Sequence, residues 1–201
     1  MKILILGLGN PILTDDGVGL QVVQAVRGQL RQDPRWVPVE GGDSGGEENW
    51  PVRFAANSAA SSWGLASCIV EVDEDTRGGL ALMERLVGYD RVILVDAILR
   101  GGKPGTVYRL SLAEFPTQRT RGTHDVHLAT ALQLGQLAGY QVPAPEQVHV
   151  VAVEAEDVLT FGEGLTPSVG GAVPEATRLV LKILEEIVTP GASLNSGKPL
   201  T

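Results

Sequence analysis

The chain has 201 residues, 43% of them hydrophobic, enough to bury one substantial core within a single domain. A formal net charge of −8, with no cluster of Lys and Arg, argues against a nucleic-acid partner, because phosphate binding draws on grouped cations. No apolar run approaches the roughly 20 residues of a membrane span; the single cysteine, Cys68, rules out an internal disulfide or a multi-cysteine zinc site and fits a reducing, cytoplasmic setting.

The opening MKILILGLGN has one Lys and an apolar run that meets glycines at once, with no small-residue cleavage site. It reads as a first strand, residues 2–6, rather than a signal peptide. GLGNPILTDDGVG, residues 7–19, follows directly. Gly7 and Gly9 permit a tight turn from strand to helix, and Asp15 and Asp16 then stand above the C-terminal edge of the sheet, where open α/β folds bind ligands. A dinucleotide loop needs a third glycine where this chain has Ile12, and two carboxylates repel phosphate. Asp15 reads as a cap and dipole partner for the helix at 17–30, and Asp16 as a site residue.

A second strand is expected at 37–40. From there to about residue 67 the composition shifts to Gly, Ser, Asn and Ala, too long for an ordinary loop, so an insertion at about 41–67 is expected, with a hairpin on WGLASCIVEV. Cys68, in the apolar CIVEV, reads as a packing residue. The insertion contains GDSGG around Ser44, the sequence that surrounds the nucleophile of chymotrypsin-like proteases. All three histidines follow Ser44, the reverse of the chymotrypsin order, and the chain alternates strands with helices instead of being all-β. GDSGG therefore reads as turn geometry.

Further on, a helix at 80–87 leads to a strand at 91–95. VILVDA, residues 92–97, ends in Asp96, which emerges at the same sheet edge as Asp16. After a strand at 106–110, RGTHDVHLA puts His124 in a loop before a helix at 126–138, which Asp125 caps and Gly139 stops. His149 falls within a strand at 148–153, and Pro174 suits the first turn of a last helix at 174–187. The polar tail, 189–201, has little to bury and is expected to be disordered, leaving 1–188 as one domain. The alternation predicts an α/β fold, a mostly parallel sheet covered by helices. Asp16, Asp96 and His124 together form an O,O,N set for a divalent transition metal, with positions left open for substrate. His127, one helical turn on, either replaces His124 or orients it.

GLGNPILTDDGVG, VILVDA, PGTVYRL, THDVHLATAL and VEAEDVLTFGEGLTPSV, in that order and with a terminal amphipathic helix, resemble the hydrogenase maturation proteases. These endopeptidases remove a C-terminal peptide from the nickel-loaded large subunit of nickel–iron hydrogenases. The resemblance spans nearly the whole chain except the insertion and the tail. It implies a three-layer fold, a twisted sheet sandwiched by helices, and maps the family's metal-docking and catalytic residues onto Asp16, Asp96 and His124. It also implies no resident cofactor: the nickel arrives in the substrate, a hydrogenase large-subunit precursor.

The family carries a D-G-G-T-x-G type turn after its second strand that helps in cleavage or substrate recognition. Two stretches compete for it here. VEGGDSGG, with Glu40, Gly41, Gly42 and Gly45, keeps the distance from the N-terminus and is preferred; VDEDTRGG, with Asp73 and Thr76, keeps the distance to Asp96. Two rivals stand beside the protease: a non-proteolytic metal-sensing or chaperone module for the hydrogenase subunit, and a peptidyl-tRNA hydrolase-like enzyme, which shares GLGNP. The latter needs a catalytic His soon after the motif and a basic face, and the chain has neither.

Overall fold

A computed structural model describes residues 1–39, 51–57, 68–115 and 127–189. Seven strands form one sheet: β1 (Lys2–Leu8), β2 (Trp36–Pro38), β3 (Val52–Ala56), β4 (Ile69–Asp75), β5 (Arg91–Ile98), β6 (Val107–Ser111) and β7 (Val148–Glu154). Their spatial order is β2-β3-β4-β1-β5-β7-β6. The four central strands, β4, β1, β5 and β7, run parallel, while β3 and β6 run against their neighbours. The helices are α1 (Val18–Gln32), α2 (Gly79–Arg85), α3 (Leu128–Leu137) and α4 (Pro167–Val188).

Alternation along the strands sorts the core into two layers. Ile3 and Ile5 of β1, with Val70 and Val72 beside them on β4 and Ile93 and Val95 on β5, share one cluster with Val22 and Val26 of α1 and Val180 and Ile183 of α4. Leu4, Leu6 and Leu8 belong to the other, with Leu82 of α2 and Leu128 and Leu132 of α3. The result is an α/β fold whose mixed sheet has the parallel core that the alternation predicts, within the three layers that the resemblance implies.

Several boundaries differ from the sequence reading. Residues 69–72, expected as part of a hairpin, instead belong to β4, an internal strand paired parallel to β1 and antiparallel to β3. β3 lies inside the expected insertion yet belongs to the main sheet. The last helix starts at Pro167, not Pro174, so Pro167 fills the first-turn role and Pro174 sits inside the helix. Lacking an N–H, Pro174 leaves the Gly170 carbonyl without its usual intrahelical donor. α3 starts at Leu128 with His127 as N-cap, and Asp125, the expected cap, lies outside the described residues. Its end follows the expectation: Gly139 has φ +85°, its N–H donates to Gln136 O, and that of Tyr140 to Gly135 O, a Schellman stop. The tail from residue 190 lies outside the described residues. Among those described, no helix is long and apolar enough to cross a membrane.

One close approach fixes how α1 meets the sheet. A Cβ on Gly19 would stand 2.2 Å from Leu8 O and 2.5 Å from Val95 O, so only glycine lets the first turn of α1 rest on the ends of β1 and β5. That contact positions the loop ahead of it.

Candidate active site

The first loop is folded by its own short polar residues. Asn10 Oδ1 accepts from Ile12 N at 3.2 Å, Asn10 O accepts from Leu13 N at 3.1 Å, and Leu13 O accepts from Asp16 N at 2.8 Å. A short 3-10 turn, Thr14–Gly17, follows and packs against β5. Asp16, half-buried in that turn, accepts a hydrogen bond from Asn10 N at 2.7 Å through Oδ2. Gly9 makes this fold-back sterically possible: a Cβ there would come within 2.1 Å of Asp16 O.

Asp96 is 3% exposed near the end of β5 and accepts from Ala97 N at 2.9 Å. The last β1–β5 pair is Gly7 with Val95, so Asp96 stands where β1 gives way to the Asp16 loop. Both predicted carboxylates thus reach the C-terminal edge of the parallel strands, on elements that touch. His124, Glu40, Gly41, Gly42 and Gly45 lie outside the described residues, as does Ser44. Among the described residues no three His, Cys, Asp or Glu side chains are grouped to hold a metal ion, so His127 does not complete the pair. His149 is a β7 residue whose imidazole is held below its ordinary pKa by burial and by nearby Arg109. Cys68 is a core residue, its thiol pushed up by burial. It is no activated nucleophile.

Asp15 has a larger task than a helix cap. Fully buried, it accepts from Glu156 N at 2.9 Å, Asp157 N at 3.0 Å, Thr166 N at 2.7 Å and Thr166 Oγ1 at 3.1 Å. Its own N–H donates to Asp157 O at 2.9 Å. One carboxylate therefore ties the first loop to the connection between β7 and α4. A bridge between Leu13 and Phe161, with Thr14 Oγ1 donating to Thr160 O at 2.7 Å, extends the tie outward.

VDEDTRGG occupies the end of β4 and the turn after it, directly beside the first loop: Gly9 N donates to Asp75 O at 3.2 Å. Pro11, Leu20, Asp73, Glu74, Thr76 and Arg77 help line a cleft of about 290 Å³ there. Asp75 holds Arg77 through Nε at 2.9 Å and Nη2 at 2.6 Å. Behind it, Glu71, 2% exposed, accepts from Arg53 Nε at 2.8 Å and Arg85 Nη2 at 3.1 Å, and from the Tyr89 hydroxyl; Arg85 also pairs with Asp73. The signal for this row is V-E-V-D-E-D: with Val70 and Val72 facing one core, residues 71, 73 and 75 fall on the opposite face.

Burial pushes the Glu71 carboxyl up, but the hydrogen bonds from Tyr89, Arg53 and Arg85 outweigh it and hold it below its ordinary 4.5. Burial and the bond to Glu71 push the Tyr89 phenol up to about 12. A carboxylate depressed on folding stabilises the protein above its unfolded value, and that contribution disappears as pH falls through the folded one. Denaturant melts should show stability falling below pH 4.5, with a shallower fall for Glu71→Gln. An equal acid slope in the variant would assign the effect to other groups.

A family model described as hydrogenase maturation protease matches residues 72–183, more than half of the chain. The chain belongs to the hydrogenase maturation protease family. As a member it is a peptidase. Hydrogenase 2 maturation protease from Escherichia coli K12 is 26% identical over 189 residues, covering 92% of each chain. The hydrogenase expression/formation protein HupD of Rhizobium leguminosarum bv. viciae is 23% identical, over 91% of this chain and 74% of its own. The solved structure of the hydrogenase maturating endopeptidase HybD from E. coli superposes with a TM-score of 0.62 at 26% identity, over 93% and 94% of the two chains. The maturation-protease fold excludes the all-β architecture that GDSGG brings to mind.

Proposed function

We propose that this maturation protease is a cytoplasmic endopeptidase that removes the C-terminal peptide of a nickel-loaded nickel–iron hydrogenase large-subunit precursor, docking on the substrate's nickel through Asp16, Asp96 and His124. The observation that carries the reading is the delivery of Asp16 and Asp96 to one sheet edge by two elements in contact, the Thr14–Gly17 turn and β5. Two carboxylates and one imidazole suit a borderline divalent ion and leave coordination positions to the substrate. Such a set recognises a finished metal centre without a resident cofactor. Nickel docked beside the scissile bond would polarise its carbonyl or acidify a water. Glu40, Gly41, Gly42 and Gly45 are proposed to present the substrate tail, and the VDEDTRGG turn, next to the Asp16 loop, is the competing candidate.

The test is incubation of the protein with nickel-loaded and nickel-free precursor, followed by mass measurement of the product. The loaded precursor should lose its C-terminal peptide and the nickel-free one should stay intact. Equal cleavage of both would point to a conventional protease, and binding without cleavage to a chaperone.

A further inference from the structure

Beside the carboxylates stands a ridge that exposes apolar side chains to solvent. Ile12 is 51% exposed, Leu159 70% and Phe161 79%. Single exposed apolar residues are ordinary; three on one braced ridge are not. The ridge consists of residues 10–14 and 157–162, joined by the Leu13–Phe161 bridge, by Gly162 N donating to Ile12 O at 3.1 Å, and by the buried Asp15 clamp beneath. At its tip Asp157 Oδ1 accepts from Leu159 N at 2.9 Å and Thr160 N at 3.0 Å. A surface held this way is ordered before its partner arrives, which removes an entropic cost of association.

We infer that this ridge is the docking surface for the hydrogenase precursor, seating an apolar patch of the folded substrate next to the metal and its scissile segment. The inference rests on the proposed function. Continuity selects the occupant: Ile12 and Asp16 belong to one hydrogen-bonded loop, so whatever brings a metal to Asp16 lies against the ridge. Glu156 and Glu163 are exposed on the same connection, so the matching patch on the precursor carries basic groups at its rim. A few well-packed residues near the centre of an interface carry most of its binding energy, while complementary rim charges fix its register.

The experiment measures both the affinity for nickel-loaded precursor and the kinetics of its cleavage. Leu159→Ser/Phe161→Ser and, separately, Ile12→Ser are compared with Leu137→Ser, which removes an 84% exposed side chain from the end of α3. The double variant should bind about tenfold more weakly and raise KM by a similar factor with kcat unchanged, and Ile12→Ser should shift both in the same direction. Leu137→Ser should match the wild type. Unchanged affinity in both ridge variants overturns the inference, as does an equal loss in Leu137→Ser. If the wild type binds the precursor without cutting it, the protease reading fails, while the affinity comparison still decides the ridge.

Discussion

Asp96→Asn is expected to abolish processing of the nickel-loaded precursor, while Ser44→Ala leaves it near normal. Asn has the size of Asp, so it fits the 3% exposed site on β5 without a cavity and, on the proposed docking, removes a charged ligand. Loss of an outer-shell partner alone costs a metal site about 10- to 100-fold, so loss of a direct ligand should exceed that. Were Ser44 the nucleophile, its removal would instead cost several orders of magnitude, because nucleophile and base act as one unit. Circular dichroism of both variants checks the fold, and mass measurement of the precursor scores the cut. An active Asp96→Asn beside an inactive Ser44→Ala would overturn the metal-docking mechanism.

Asp15→Ala should be the most destabilising change in the first loop. It leaves the amides of Glu156, Asp157 and Thr166 without the acceptor that the fully buried Asp15 supplies. Hydrogen bonds to a charged group contribute about 1.5–3 kcal/mol each and do not simply add, so a loss of about 3–5 kcal/mol is expected. Asp15→Asn keeps one acceptor oxygen and should lose less. Urea denaturation of the two variants measures the difference; a loss under about 1 kcal/mol for Ala would mean that other contacts hold the loops together.

The parts of the fold that were legible are those whose pattern is local. β1, β5, β6 and β7 fall within a few residues of the strands read from the chain, and the glycine stop of α3 is where it was expected. β4 was read only in part, as one arm of a hairpin, because four of its seven residues are acidic. Its buried Glu71 and Asp73 are tolerated by Arg53 on β3 and Arg85 and Tyr89 from α2 and the turn after it, a pairing that no sequence period announces. The placement of Asp16 and Asp96 at one sheet edge was legible for a topological reason: parallel strands deliver the residues at their C-terminal ends to one edge. Asp15 looked like a cap because its hydrogen-bond donors lie about 150 positions further along the chain. His124 and the Glu40 turn lie outside the described residues.

The clamp at Asp15 also orders events in time. During synthesis β1, β4, β5 and β7 can all emerge before residue 166, yet the loop beside Asp16 lacks its last amide donor until the start of α4 has been made. Contacts that close so long a stretch of chain are slow to form, because the entropy of the intervening segment is lost before the contact is gained. A ribosome-bound fragment ending before Thr166 would therefore carry both carboxylates with the Asp15 brace lacking its two Thr166 donors. The loop that carries Asp16 thus receives its final brace only after all four parallel strands of the sheet have been made.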